Sequence, residues 1–471
     1  MLYNSVEGDI VIYMYKRAWV MAFRCVASCL FLLLSACSTA AQTNTTHSTP
    51  LPTSAPTIQG DDWTMYHNDN TRSGYLVNAP DPQKLTSAWN VKLDGAVYAE
   101  PLVIDHHVII ATEGDTLYSL DDQTGQVQWQ TNVGQPVARA TLPCGDIDPL
   151  GITGTPVYDP ATKLIFAVAE VTGPAHILIG VDIQSGQIKV KRNVDLPGMD
   201  PSVFQQRAAL ALSQNTVYLA YGGLDGDCGQ YRGTVIGSRT DGQGNLLSYQ
   251  VSTPREGGIW ATPGPVIDSN NKLYVSVGNG EVTTGEWDHS DSILRLSSTL
   301  QLEDGFAPQQ WQQDNATDAD LGSMGPVLLS NGLIFAAGKS GQGYILHANA
   351  LGGIGGQATN QNVCVAFGGA ATTGSQIFIP CTDGLLQVTI GTDASIKLGW
   401  KAPGDVNGSP IIGGHTIYSM GAGILYALNS ENGAVRATIQ IGDTSRFATP
   451  TLSGNHVFVG TMTGISVATI S

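Results

Sequence analysis

Positive charge is what this sequence has least of. Lys and Arg number 22 in 471 residues against 39 Asp and Glu, a formal net charge of −17 at pH 7. A surface of that sign is repelled by phosphate backbones and anionic headgroups, so nucleic acid is excluded as a partner. Charged residues of both signs make up only 13% of the chain, too few for the solvated faces of long surface helices. Several catalytic signatures are also missing. There is no CxxCH for covalent c-type haem, no HExxH for zinc, no Gly-rich phosphate loop ahead of a helix, and no nucleophile setting for Ser. What the chain does have is glycine, 56 residues of it, between short apolar runs, and this composition reads as all-β.

The N-terminus carries an export signature. Lys16, Arg17 and Arg24 precede the apolar stretch from Val26 to Leu34, and Leu34-Ser35-Ala36-Cys37 follows in the lipobox pattern. The stretch is shorter than the ~20 residues that span a bilayer, which suits a cleaved signal with lipid attached to the Cys37 thiol. Glu7 and Asp9 are out of place ahead of such a signal and point to translation from Met14 or Met21. Residues 1–36 are read as a lipoprotein signal peptide. Residues 37–60 are read as a disordered tether of Ser, Thr, Gln, Pro and Ala without a hydrophobic period. The protein is therefore expected outside the cytoplasm, anchored by lipid to the cell membrane or outer membrane. Four cysteines remain beyond Cys37, an even number in an oxidising compartment, so two disulfides are expected. Sequence proximity pairs Cys364 with Cys381 and leaves Cys144 for Cys228.

One unit recurs over residues 61–471. Its clearest copy runs from Glu100-Pro101-Leu102-Val103-Ile104 through His107–Thr112 and Leu117-Tyr118-Ser119-Leu120-Asp121, then the turn Gln123-Thr124-Gly125, to Val127-Gln128-Trp129. The proline recurs at Pro156, Pro263, Pro326, Pro410 and Pro450, with weaker approaches near Ala211 and Ala370. This gives eight units at spacings of roughly 40 to 63 residues. Four short strands per unit, none able to cover both its faces, predict four-stranded antiparallel blades around a central channel: an eight-bladed β-propeller. Seven blades stay open as an alternative because the units near Ala211 and Ala370 are degenerate. The last unit stops at its third strand, Ile465-Ser466-Val467-Ala468, while Ser87-Ala88-Trp89-Asn90-Val91 precedes the first full unit and resembles a fourth strand. The N-terminal strand is expected to complete the last blade and close the ring, which removes the open sheet edges.

The repeat turns Leu120-Asp121-Asp122-Gln123-Thr124-Gly125 and Leu425-Tyr426-Ala427-Leu428-Asn429 resemble the pyrroloquinoline quinone (PQQ) type propeller repeat. Quinoprotein dehydrogenases and the propeller lipoprotein of outer-membrane protein assembly share that repeat. A second likeness is local: Gly257-Gly258-Ile259-Trp260, Gly278-Asn279-Gly280, Ser290-Asp291-Ser292-Ile293 and Gly338-Lys339-Ser340-Gly341 are similar to the cofactor region of quinoprotein alcohol dehydrogenases. The resemblance implies Trp260 as an indole floor under the quinone, Asn279 as a calcium ligand, Asp291 as general base and Lys339 as a cation beside the quinone oxygens. That set is chemically coherent, since a planar tricyclic anion needs a flat apolar face, a cation, and a divalent ion to polarise its carbonyl.

The likeness is incomplete. The adjacent Cys-Cys pair that covers the other cofactor face in many of these enzymes is missing, and no residue matches the metal-binding glutamate, for which Asp225 or Asp227 are the nearby substitutes. Each site residue also has an ordinary structural alternative: packing between blades for Trp260, a glycine turn for Asn279, a strand-capping loop for Asp291, and a solvated hairpin charge for Lys339. Asp314-Asn315-Ala316-Thr317-Asp318-Ala319-Asp320 is read as a solvated acidic turn rather than a calcium loop, since it lacks a closing Glu. The sequence therefore favours a binding or scaffold propeller for envelope proteins or a polymer or sugar ligand. A PQQ- and calcium-dependent alcohol or sugar dehydrogenase is the alternative, and a cofactor-binding sensor without turnover is a third reading.

Overall fold

Eight antiparallel sheets follow one another along the chain in the computed structural model, which describes residues 62–471. The signal, Cys37 and the whole of the tether lie outside the described residues. Blade 1 shows the plan: Leu102–Ile104, His107–Ala111, Thr116–Asp121 and Val127–Asn132 pair in chain order from the axis outward. The inner strands are buried throughout, whereas Val127–Asn132 alternates between exposed and half-buried residues. This gradient explains the unit's composition, because an inner strand packed on both faces needs continuous apolar residues and an outer strand needs them only at alternate positions.

Blades 2 to 7 repeat the plan. They begin at Val157–Asp159, Ala211–Ser213, Val266–Ile267, Val327–Leu328, Ala371–Thr373 and Ile411–Gly413. The degenerate units near Ala211 and Ala370 are thus full blades, and the number is eight. In blade 8, Leu85–Lys92 pairs antiparallel with Gly464–Ile470 as the fourth strand, with a bulge between Ser87 and Trp89. The ring is closed by the N-terminal strand as expected. Both disulfides form with the expected partners, Cys144 with Cys228 and Cys364 with Cys381.

Neighbouring blades are tied by their fourth-strand tryptophans. The indole N–H groups of Trp89, Trp129 and Trp400 donate to the Asp122, Ile183 and Ser430 carbonyls of the following blade, at 3.2, 2.7 and 3.0 Å. Each ring lies flat on the turn glycine there, Gly125, Gly186 or Gly433, all at positive φ. A Cβ at Gly186 would stand 2.8 Å from the Trp129 ring, so glycine meets both the backbone and the packing requirement of that turn.

One structural feature had no counterpart in the repeat pattern. The segment from Trp63 to Leu76 crosses the channel at the end where first and second strands turn, and bonds to the inner strands of most blades. Trp63 exchanges backbone hydrogen bonds with Val103, and Tyr158, Ile267, Thr372 and Ile412 donate to carbonyls of Thr64, Asn70, Ser73 and Gly74. Buried Arg72 donates to the carbonyls of Tyr66, Leu210 and Pro265, and buried Glu100 accepts from the Trp63 indole and the His67 N–H. The segment is a plug that satisfies the edges facing the axis.

Two predictions follow from these buried groups. Arg72→Ala leaves three carbonyls and Glu100 without their cation, and should cost about 3 kcal/mol in urea unfolding, the scale for breaking a buried charged network. Burial pushes the Glu113 and Asp115 carboxyls up to about 8, and, against the effect of burial, Glu170 and Asp195 hold His176 up to about 9. All three bind protons more tightly folded than unfolded, so the stability they add is present at acid pH and lost as pH rises to 8 or 9. Thermal unfolding should therefore show a midpoint that falls between pH 5 and pH 9, with a shallower fall in Glu113→Gln.

Candidate functional site

At the end of the channel opposite the plug, the connections between blades and the turns after second strands enclose a cavity of about 730 Å³. That size suits a cofactor-sized molecule. The repeat decides what lines it. Four residues at one fixed offset, four places before the first strand of their blade, reach the cavity wall: Tyr98, Arg207, Phe367 and Phe447, in blades 1, 3, 6 and 8; Trp260, six places before Val266, joins them from blade 4.

Trp260 rests on glycines. A Cβ at Gly222 would lie 2.9 Å from the Trp260 Cβ, and one at Gly278 would lie 3.2 Å from its Nε1. Three cations surround the aromatic wall. Lys339 Nζ is 5.5 Å from the Trp260 ring centre, Arg207 Cζ is 3.9 Å from that of Phe447 and 5.9 Å from that of Trp260, and Arg446 Cζ is 4.2 Å from that of Phe367. Lys339 is ion-paired with Asp318 and, at 3.0 Å, with Asp320. Although burial opposes it, those two carboxylates hold Lys339 above its usual pKa, so it stays charged. Burial lowers the pKa of Arg207, yet a guanidinium remains protonated at any physiological pH.

Of the four residues singled out by the quinoprotein resemblance, Trp260, Asn279 and Lys339 line this one cavity. Asn279 is fixed through its backbone carbonyl, which accepts from Gly257 at 2.8 Å. Asp291 does not line it. Its side chain is fully buried behind Gly278, with Oδ1 accepting from the Leu321 N–H at 2.8 Å. Burial, then the nearby Asp320 and Asp314, push its carboxyl well above the usual range. The carboxylate presented to the cavity beside Lys339 is Asp318, 65% exposed.

Asp318 lies in the stretch expected to be a solvated acidic turn. The structure instead forms a short helix, Trp311–Thr317, with Asp314 and Asp320 buried and Asp318 as its left-handed cap. Acidic residues alone could not distinguish these fates, because burial depends on Asp320 N-capping a turn and meeting Lys339 from another blade. The sequence also passed over Arg207, Arg446, Phe367 and Phe447. Arg207, Phe367 and Phe447 share one offset from the first strand of their blades, and Arg446 precedes Phe447; that offset was the signal that could have found them.

The wall between Tyr98 and Asp227 is stapled. Cys144–Cys228 joins the connection that carries Asp146 and Ile147 to the turn that carries Leu224 and Asp227, and an apolar cluster of Val137, Leu142, Ile147, Leu150 and Leu224 lies beneath. An aromatic floor, cations and this apolar cap fit a flat anionic ring system such as a quinone. The calcium part of the quinoprotein set does not fit equally well: among the described residues, no group of three or more His, Cys, Asp or Glu side chains could hold a metal ion.

Fold and cavity together define an eight-bladed propeller of the PQQ-repeat class. The chain belongs to the family described as outer membrane protein assembly factor BamB, whose sequence profile matches residues 89–350. Solved structures with the same fold include the quinohemoprotein alcohol dehydrogenase from Comamonas testosteroni, at 15% identity and a TM-score of 0.69 over 87% of this chain and 80% of that one. A europium-containing methanol dehydrogenase shares 14% identity with a TM-score of 0.66, covering 86% of this chain and 91% of that one. BamB from Moraxella catarrhalis shares 15% identity with a TM-score of 0.58, covering 82% and 99%. No curated protein sequence matches the chain.

The Lys339–Asp320 pair is open to a direct test. Removing the cation in Lys339→Met leaves a fully buried carboxyl without its partner, and should lower stability by about 3 kcal/mol in denaturant titrations near neutral pH. Adding Asp320→Asn to that variant should restore most of the loss.

Proposed function

We propose that the chain is an extracytoplasmic, lipid-anchored binding propeller whose axial cavity holds a planar anionic ring system of the quinone class. The observation that carries this reading is the convergence of Trp260 and three cations on one cavity in a protein of net charge −17. Two disulfides support an oxidising compartment, and the Cys37 lipobox supports the anchor. Membership of an assembly-factor family supports envelope proteins as macromolecular partners, met through the loops around the cavity mouth.

A second reading, a dehydrogenase acting on an alcohol or sugar, has one observation in its favour. Asp318 offers an exposed carboxylate at the cavity, placed to take the proton of a substrate hydroxyl beside Lys339. A bound quinone would supply the hydride acceptor. Buried Asp291 does not reach the cavity and has no such access.

Titration with PQQ, with and without Ca²⁺, followed by dye-linked oxidation of simple alcohols and sugars, separates the two. The binding reading expects saturable quenching of tryptophan fluorescence, lost in Trp260→Ala, without turnover. Turnover that disappears in Asp318→Asn while quenching persists would establish the enzyme instead. Failure to bind any planar quinone would leave a scaffold for envelope proteins.

A further inference from the structure

The arginines of the described residues are almost all engaged. Among the described residues, every arginine except two donates a hydrogen bond or forms an ion pair: Arg72 to three carbonyls, Arg192 to Gly244, Arg295 to Ala348, Arg436 to Asp81, and others likewise. The exceptions are Arg207 and Arg446, and both line the axial cavity. Each guanidinium lies over an aromatic ring, and both stand within 6 Å of the centre of the same one: Phe447, at 3.9 Å for Arg207 and 5.9 Å for Arg446. Arg207 is half-buried in the wall, while Arg446 is exposed at the rim, where it also borders a second cavity of about 440 Å³ beside Asp405 and Met420.

Two like charges beside one ring repel each other, and a partly desolvated guanidinium with unused donors is costly. An anion between them removes both penalties. Stacking on Phe447 and Phe367 fixes the guanidinium planes, so their donor edges are preset for the two oxygens of a carboxylate. Lys339 cannot play this part, because Asp318 and Asp320 already neutralise it.

Building on the reading of the cavity as a planar-anion site, we propose that Arg207 and Arg446 form a two-point carboxylate clamp, which makes the ligand an aromatic dicarboxylate or higher acid. Arg207 holds the carboxylate nearer Trp260. Arg446 holds the outer one, at the boundary with the second cavity. Neutral quinones of the same shape keep only the stacking contribution from Trp260.

The test uses the full chain with three probes: PQQ, which carries three carboxylates, its uncharged trimethyl ester, and a neutral anthraquinone. The wild-type protein should prefer PQQ over its ester by about 100-fold or more. Arg207→Gln and Arg446→Gln should each weaken PQQ by about 10- to 100-fold, the scale of a charged hydrogen-bonded contact, and leave the ester unchanged. Trp260→Ala should weaken all three probes. Melting curves for each variant, and recovery of part of the loss in Arg207→Lys, separate a lost contact from a lost fold. Wild-type PQQ affinity in both arginine variants, with quenching still dependent on Trp260, would overturn the clamp and leave the planar-anion cavity standing. If the wild-type protein binds none of the probes, the clamp falls together with the cavity reading.

Discussion

A ring of sheets has two sets of edges to satisfy, and in this protein the same stretch of chain satisfies both. Residues 85–92 close the circumference by pairing with 464–470, and residues 63–76 cross the axis and bond to the inner strands. Without the first pairing the last blade is one strand short and exposes a ladder of unpaired backbone groups. Without the plug the inner strands face an open channel. Both defects are costly in the same way, since unpaired backbone groups either lose hydrogen bonds or recruit other chains. The N-terminal region thus makes the eight local repeats into one cooperative object, despite contributing only a single strand to the repeat count.

Closing one end of the channel decides where ligands can go. With the plug at the end where first and second strands turn, open space on the axis lies at the other end, walled by inter-blade connections and by the turns after second strands. Those segments are free of the ladder constraint that holds the strands apolar, so they can carry Arg, Lys and Asp without disturbing the blades. This is the usual division between scaffold and site in repeat folds.

The architecture was legible in the sequence because it repeats. Pro101, Pro156, Pro326, Pro410 and Pro450 each stand directly before the first strand of a blade, in blade 4 Pro265 takes that place two residues after Pro263, and even the units without proline kept enough strand pattern to form blades 3 and 6. The disulfide partners followed from spacing and number. The plug was not legible: Trp63 to Leu76 has no second copy, and its partners are backbone atoms of distant strands. The site was legible in part. Trp260, Asn279 and Lys339 stood out through their glycine neighbours and meet in space. Asp291 stood out only through the family likeness of Ser290-Asp291-Ser292-Ile293, and its side chain folds behind Gly278, where Oδ1 accepts from the Leu321 N–H. Sequence proximity to a strand end does not fix which way a side chain points.

The electrostatics give the fold its chemical character. A body of net charge −17 repels anions at long range, so an anion reaches the cavity only if local cations outweigh the mean field at short range. Screening makes this possible, since charges beyond about 10 Å count for little at moderate salt. Inside the cavity the relevant groups are Arg207, Arg446 and Lys339 against Asp146, Asp225, Asp227 and Asp318. Lys339 is spent on Asp318 and Asp320, and Asp227 accepts a hydrogen bond from Tyr231. Asp146 and Asp225 act on Arg207 through their charge but no hydrogen bond joins them to it, and both arginines stack on the aromatic wall, over Phe447 and Phe367. The cavity therefore presents its cations against the ring faces, with carboxylates beside them. A small inorganic anion would gain little from the aromatic faces, and a neutral ring little from the guanidinium groups. Only a ligand that is both flat and anionic uses every feature that these connections bring together.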